Sequence, residues 1–239
     1  MYHYGYTLEN EIFWAGLENG WEKESIGLWK KLCAISTTIV DVGANTGIYA
    51  LIAKTIRPDA RVYAFEPVAR VFDKLKKNIE LNKLDISAHE LALSNTNGTA
   101  VIFDLPAEHV YSVTINKNMN PPGTDVIKTN IQTVTLDSFI SANRLNKIDL
   151  IKIDVETHEP EVLEGFSKHI AEFRPSMLIE VLNDETGERV EKLIGHLGYL
   201  YFNIDEKGGV RQVHKIRKSD YFNFLVCSSE VAGKIGLLH

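Results

Sequence analysis

The chain has 239 residues, 44% of them hydrophobic and 24% charged, which is enough to bury one sizeable core. A formal charge of −6 argues against a protein that works by neutralising a phosphate backbone, so no nucleic-acid partner is expected. No apolar run approaches the ~20 residues needed to cross a bilayer, so no membrane insertion is expected, and Met1-Tyr2-His3-Tyr4-Gly5 lacks the basic and apolar segments of a secretory signal. Cys33 and Cys227 have no metal-site or redox spacing, so reduced core thiols and a cytoplasmic location are expected.

Residues 1–37 read as a leader ending in an amphipathic helix, with Ile26, Leu28, Trp29 and Leu32 at mostly helical intervals; it is expected to pack on a domain of residues 38–239. Trp14, Trp21 and Trp29 read as packing residues, one of which is placed to cover an adenine or a sugar face. Residues 38–42 form a β-branched run that ends in a glycine-rich turn, and residues 48–56 continue with helical periodicity until Arg57-Pro58-Asp59. The cycle repeats with a strand at 61–65, a helix at 68–81 and a third strand at 86–93. Such alternation predicts an α/β fold, a parallel sheet with helices on both faces.

Between Gly98 and Thr135 short alternating runs flank a Pro-, Gly- and Asn-rich segment, residues 116–125, expected as a long loop near the site; Tyr111 and Ser112 precede it as candidate cofactor or acceptor contacts. Regularity returns with a helix from about Asp137, a strand at 150–154, a helix from Pro160, a strand at 176–180 and a helix at 187–197. Asp137 and Asp149 read as caps. Residues 199–204, 210–213 and 221–226 then read as strand and hairpin elements around the turn Asp205-Glu206-Lys207-Gly208-Gly209. Lys74-Leu75-Lys76-Lys77 is a solvated helix face, whereas the basic run from His214 to Lys218 is a candidate contact for an anionic substrate group.

The turn Asp41-Val42-Gly43-Ala44-Asn45-Thr46-Gly47 follows a strand and opens a helix, so backbone N–H groups can approach a ligand there. A carboxylate at Asp41 repels a pyrophosphate, and the spacing is not G-x-G-x-x-G. S-adenosylmethionine, which carries an ammonium and a sulfonium but no phosphate, suits Asp41. The second strand ends in Phe65-Glu66-Pro67, and a carboxylate there can accept both hydroxyls of a ribose, which makes Glu66 the expected ribose ligand.

Further along come Ala92-Leu93-Ser94, Thr135-Leu136-Asp137-Ser138-Phe139, Ile151-Lys152-Ile153-Asp154-Val155-Glu156, His158-Glu159, Val162-Leu163-Glu164-Gly165 and Ile179-Glu180-Val181. In order and spacing these pieces resemble the FkbM-type methyltransferases, S-adenosylmethionine-dependent enzymes that largely methylate oxygen atoms on sugars and natural products. The likeness runs from about Thr38 to Val226. It implies a Rossmann-like methyltransferase fold with a single, mainly parallel seven-stranded sheet, helices on both faces and an antiparallel C-terminal hairpin. It also implies an O-methyltransferase whose partner is a small hydroxylated acceptor such as a sugar or glycan. The expected cofactor contacts are Asp41, Gly43, Ala44, Asn45, Thr46, Gly47, Glu66, Pro67, Ala92 and Asp154. One departure is visible: Thr157 stands where the family usually has Gly, at a turn needing φ > 0, and it narrows the acceptor pocket.

Methyl transfer is an in-line displacement, so the enzyme must align a nucleophile and help it lose a proton. Asp154, Glu156, His158 and Glu159 crowd the end of the fourth strand. His158 is the expected general base, with adjacent carboxylates orienting it and favouring its protonated form, and Asp154 and Glu156 are the alternatives. Capping of the helix at Pro160 is the plainer role for His158 and Glu159. Asp154 and Glu180, with Asp184 or water, also form a candidate site for Mg²⁺ or Mn²⁺. The remaining histidines, at positions 3, 89, 109, 169, 196, 214 and 239, lack convergent acidic neighbours in sequence and are given no chemistry. Two readings from other classes stay open: a noncatalytic module that keeps the cofactor fold, and a nicotinamide-dependent oxidoreductase. N-methylation and methylation of a protein side chain are variants within the enzyme class.

Overall fold

The computed structural model describes residue 2 and residues 7–20, 22–104 and 127–238. Trp21, Tyr111, Ser112 and the segment 116–125 lie outside the described residues, as do His3, His109 and His239.

In chain order the elements are α1 (Thr7–Ala15), α2 (Lys23–Ala34), β1 (Thr38–Val42), α3 (Ile48–Ile56), β2 (Arg61–Phe65), α4 (Ala69–Asn82), β3 (Ser87–His89), β4 (Ala92–Leu93), β5 (Gly98–Asp104) and β6 (Ile127–Val134). They continue with α5 (Leu136–Asn143), β7 (Leu150–Ile153), α6 (Glu159–Glu164), α7 (Ile170–Phe173), β8 (Ser176–Glu180), α8 (Asp184–Ile194), β9 (Leu200–Asp205), β10 (Gly209–Val213), β11 (Asn223–Cys227) and α9 (Ser229–Lys234). The main sheet has eight strands in the order β10-β9-β11-β8-β7-β1-β2-β3, and a second sheet has the order β4-β6-β5. β3, β2, β1, β7 and β8 run parallel, while β11, β9 and β10 are antiparallel.

The sheet therefore differs from the single seven-stranded one expected. Residues 86–93, read as one strand, divide at Glu90-Leu91: β3 stays in the main sheet and β4 joins the second. The C-terminal hairpin β9–β10 is present, and β11 inserts between it and β8.

Strand alternation divides the core. Ile39, Leu150, Leu178 and Leu225 share one cluster with Trp29 and Leu32 of α2 and Ala50 and Ile52 of α3. Val40, Val42, Ile151, Ile153 and Ile179 share the other with Phe139 and Ile140 of α5, Val162 and Leu163 of α6, and Val190 of α8. Both faces of β1 and β7 are covered, which is why their sequences read as near-continuous apolar runs. Trp29 packs as expected, its indole N–H donating to Tyr49 O at 2.9 Å, but Trp14 is 81% exposed and does not. Cys33 and Cys227 are free, buried thiols.

Several polar residues tie elements together. Asp149 accepts from Thr37 N and Thr38 N at the start of β1, and Asp137 accepts from Lys168 N and pairs with His169 at 2.7 Å, so neither acts as a simple helix cap. Thr135 caps α5 instead, accepting from Ser138 N. In the basic run, Arg217 pairs with Glu188 and Glu191 of α8, and Lys218 N donates to Asp184; this segment anchors α8. Among the described residues no helix is long and apolar enough to cross a membrane.

Chain order turns back at β1, whose neighbours are β2 on one side and β7 on the other. A crevice at the carboxyl ends of such strands is where parallel α/β sheets bind ligands. The second sheet and α4 wall one side of it through Val68, Val71, Ala92, Ile102 and Ile131.

Candidate active site

The β1–α3 turn is shaped by sterics. Gly43 has φ +75, and a Cβ there would lie 1.9 Å from Asp154 O, so no other residue fits without parting β1 from β7. Gly47 has φ +96, and Asn45, a residue that tolerates the left-handed region, has φ +52. Every amide of the turn is already paired within the protein. Gly43 N and Ala44 N donate to Phe65 O, Asn45 N to Glu66 Oε2 at 3.0 Å, Thr46 N to Asn45 Oδ1 and Gly47 N to Ala44 O. The turn is therefore no anion nest, contrary to the expectation that its N–H groups face a ligand.

Beyond it opens a crevice of about 740 Å³, counted to its mouth. Phe65, Val68, Leu91, Leu93, Ile102 and Ile131 give it apolar surface, and Glu66, Asp154, Glu156 and His158 give it polar groups. Gly43, Asn45, Pro67 and Ala92 also line it, whereas Ala44 and Thr46 are buried in the turn and Gly47 does not line it. Glu66 accepts from Asn45 N and Val68 N, one bond per oxygen, leaving each oxygen a second lone pair. Burial pushes its carboxyl up to about 7, against the pull of those two amides.

Asp41 does not reach the crevice. Its side chain is fully buried, Oδ2 accepting from Ala50 N at 3.0 Å in the first turn of α3. Burial raises it to about 6, with the Lys152 ammonium opposing. Asp41 and Lys152 are register partners in adjacent strands, so both project to the same face of the sheet.

Sequence reasoning passed over Lys152, which sits behind the site. Its ammonium is buried, 2.7 Å from Asp154 Oδ2 and 4.5 Å from the centre of the Tyr49 ring. The signal was a lone lysine in the buried strand Leu150-Ile151-Lys152-Ile153. Next to it Tyr49 donates its hydroxyl hydrogen to Glu22 at 2.7 Å, and Asn223 donates to the other oxygen of Glu22. Glu180 joins the group by a hydrogen bond with Asp154; burial, then the Asp154 charge, pushes its carboxyl up to about 10, which keeps it protonated near neutrality.

The expected metal pair finds no support: Asp154 is paired with the Lys152 ammonium, and among the described residues no group of three or more His, Cys, Asp or Glu could hold a metal ion.

The β7–α6 turn holds the remaining candidates. Glu156 has φ +54 and Thr157 φ +77 inside a turn closed by His158 N donating to Val155 O. Positive φ at both central residues is a type I′ pattern that favours Asn-Gly, and here it is imposed on Glu-Thr. The turn is thus preserved despite Thr157. Glu159, expected at the crevice, turns inward, fully buried, to accept from Val155 N at 3.1 Å; burial pushes it up to about 8.

His158 Nε2 lies 2.9 Å from Ser94 Oγ, and Nδ1 lies 3.5 Å from Glu161 Oε2. Burial lowers its pKa more than the Glu161 and Glu164 carboxylates raise it, so the imidazole is neutral at pH 7; carboxylates do favour its protonated form, as expected, but they belong to α6 and burial outweighs them. Glu161 Oε2 is buried with no hydrogen-bond partner. Ser94 and Glu161 were missed as His158 partners because they lie in other segments or one helical turn away.

A family profile described as the methyltransferase FkbM domain matches residues 41–201, which include the glycine turn, Glu66 and the Asp154–Glu159 segment. The chain belongs to the FkbM methyltransferase family. Among relatives, methyltransferase sdnD of Sordaria araneosa is 27% identical over 59% of this chain and 65% of its own. Hexuronic acid methyltransferase AglP of Haloferax volcanii is 30% identical over 53% of this chain and 48% of its own. The FkbM chain thus spans from about half to just under two thirds of these relatives. A precorrin-6y C5,15-methyltransferase from Geobacter metallireducens shares the Rossmann-like methyltransferase fold, with a TM-score of 0.50 and 9% identity over 87% of this chain and 89% of that one.

Proposed function

We propose that this chain transfers a methyl group from S-adenosylmethionine to an oxygen of a small hydroxylated acceptor of the sugar type. The observation that carries the cofactor is the pairing of the β1–α3 turn: with no free amide from Gly43 to Gly47, and no Lys or Arg among the described residues lining the crevice, a pyrophosphate finds no partner. A ligand with an adenine, a ribose and a cationic tail fits the same walls. Phe65, Val68 and Leu91 would take the adenine, Glu66 the ribose hydroxyls, and Asp154 and Glu156 the cationic end. When bound, S-adenosylmethionine supplies an electrophilic methyl on sulfur.

Asp41 serves this site from behind by tying β1 to α3, and Lys152 holds Asp154 in place at the crevice floor. The acceptor hydroxyl loses its proton to His158. With Ser94 Oγ accepting from Nε2–H, Nδ1 keeps its lone pair and takes up the proton, and Glu161 Oε2 at 3.5 Å then stabilises the imidazolium. The unpartnered state of Glu161 Oε2 agrees with a nitrogen that carries no hydrogen before reaction.

An oxygen acceptor is supported by the relative that acts on hexuronic acid, a compound whose nucleophiles are all oxygens. A screen of glycoside acceptors with methyl-labelled S-adenosylmethionine tests the reading. Label on a sugar oxygen supports it; label on nitrogen, or binding of NAD in place of S-adenosylhomocysteine, overturns it.

A further inference from the structure

A second cavity adjoins the crevice and is not used by the cofactor reading. It encloses about 730 Å³ to its mouth, between the β7–α6 turn and the first two turns of α8. Glu156 and His158 line both spaces, so a group held in the second meets polar side chains of the first. Its other walls include Thr157, Glu161, Glu185 and Arg189.

The charges in this cavity are unequal. Among the described residues that line it, Arg189 is the cation, and that guanidinium is bound to Glu161 at 2.7 Å and to Glu164 at 3.0 Å. Glu164 is held in its ionised form by Asn95 and Arg189. Glu156 and exposed Glu185 add two further carboxylates facing the same space. An incoming carboxylate or phosphate therefore meets the carboxylates of Glu156, Glu161 and Glu185, with the lining guanidinium already shared between two acids. Hydroxyls fare differently, since carboxylates accept hydrogen bonds from them readily, and an ammonium is attracted.

We infer that this cavity is the acceptor subsite, and that it takes a sugar-like polyol bearing no anionic group, neutral or amine-bearing, and rejects uronic acids. The inference rests on the methyl transfer proposed for the adjoining crevice. His158 and Glu156 stand at the junction, so an acceptor in this cavity presents its hydroxyl to Nδ1 from the side away from Ser94. Thr157, in its left-handed turn, forms part of the wall and narrows the space beside that hydroxyl.

The test is a titration of the full chain, with S-adenosylhomocysteine present, followed by backbone amide NMR. The probes are the methyl glycosides of glucose, glucosamine and glucuronic acid. Glucoside and glucosaminide are expected to shift the amides of Thr157, Glu185 and Thr186, and glucuronoside to bind about tenfold more weakly or worse. Equal or tighter binding of glucuronoside overturns the inference, as does the failure of every glycoside to move those amides at high millimolar concentration. Glu185→Lys is expected to erase the bias against glucuronoside, and a bias that survives this change removes its electrostatic basis. The cofactor reading is judged separately, by whether S-adenosylhomocysteine moves the amides of Gly43, Asn45 and Glu66. If it does not, that reading fails, and the glycoside titration on the ligand-free chain still decides the charge preference.

Discussion

Two turns at neighbouring strands of one sheet reach left-handed backbone by opposite routes. The β1–α3 turn uses Gly43, Asn45 and Gly47, residues that enter that region at little cost, and no Cβ fits at Gly43 against Asp154 O. The β7–α6 turn forces Glu156 and Thr157 into the same region with no glycine. Its geometry is held by Glu159, buried beneath it and bonded to Val155 N, and by His158 N on Val155 O. The first turn is a matter of fit between strands. The second stores strain where Glu156 and His158 meet both cavities, the pattern expected where backbone cost is tolerated for function.

The largest effect is expected at the strained turn. His158→Gln keeps polarity and approximate size but removes the base, so kcat should fall by about 10²–10⁴ with S-adenosylhomocysteine affinity nearly unchanged. In the parent, burial lowers the His158 pKa, so the rate should decline only as pH drops below the ordinary histidine range. A glutamine variant that keeps most of its turnover would make His158 a structural cap.

Gly43→Ala comes next. It adds a Cβ at 1.9 Å from Asp154 O on a residue of φ +75, and should cost about 3 kcal/mol or more in denaturant unfolding. A loss under 1 kcal/mol would mean that β1 and β7 separate freely there.

Glu66→Ala should weaken S-adenosylhomocysteine by about 1–3 kcal/mol. The folded-state carboxyl is raised to about 7, and ribose hydroxyls prefer the ionised form, so the parent's affinity should fall about tenfold from pH 8 to pH 6. A flat pH profile would contradict Glu66 as the ribose ligand.

Burial raises Glu159 to about 8, so its contribution is full below the usual glutamate range and is lost as pH rises through about 8; the midpoint of thermal unfolding should fall between pH 5 and pH 8.5. The smallest change is Thr157→Gly, which relieves a left-handed threonine and should stabilise the chain by about 1 kcal/mol or less, measured by the same unfolding.

How much of this was legible follows from which forces act locally. The glycine turn, the strand that ends at Glu66 and the β7–α6 segment could be read directly, because turn sterics and strand alternation are properties of short windows. Residues 86–93 were misread because the break at Glu90-Leu91 is made by pairing of Ala92 and Leu93 with Thr133 and Val134, 41 residues away. Asp41 was sent to the wrong side for a similar reason. Its position in the strand was clear, but that its carboxylate serves Ala50 N follows only once α3 packs back on β1. The pairing of Asp154 with Lys152, two residues before it, could not be read because the sequence shows both charges but not that both side chains turn to the same place.

Calorimetric titration of S-adenosylhomocysteine and of NAD into the parent and into Glu66→Ala tests the central claim most directly. The account predicts one saturable site for S-adenosylhomocysteine in the parent, about 5- to 150-fold weaker binding in the variant, and no heat of binding from NAD. Binding of NAD at this site, or S-adenosylhomocysteine affinity unchanged by the loss of Glu66, would contradict it.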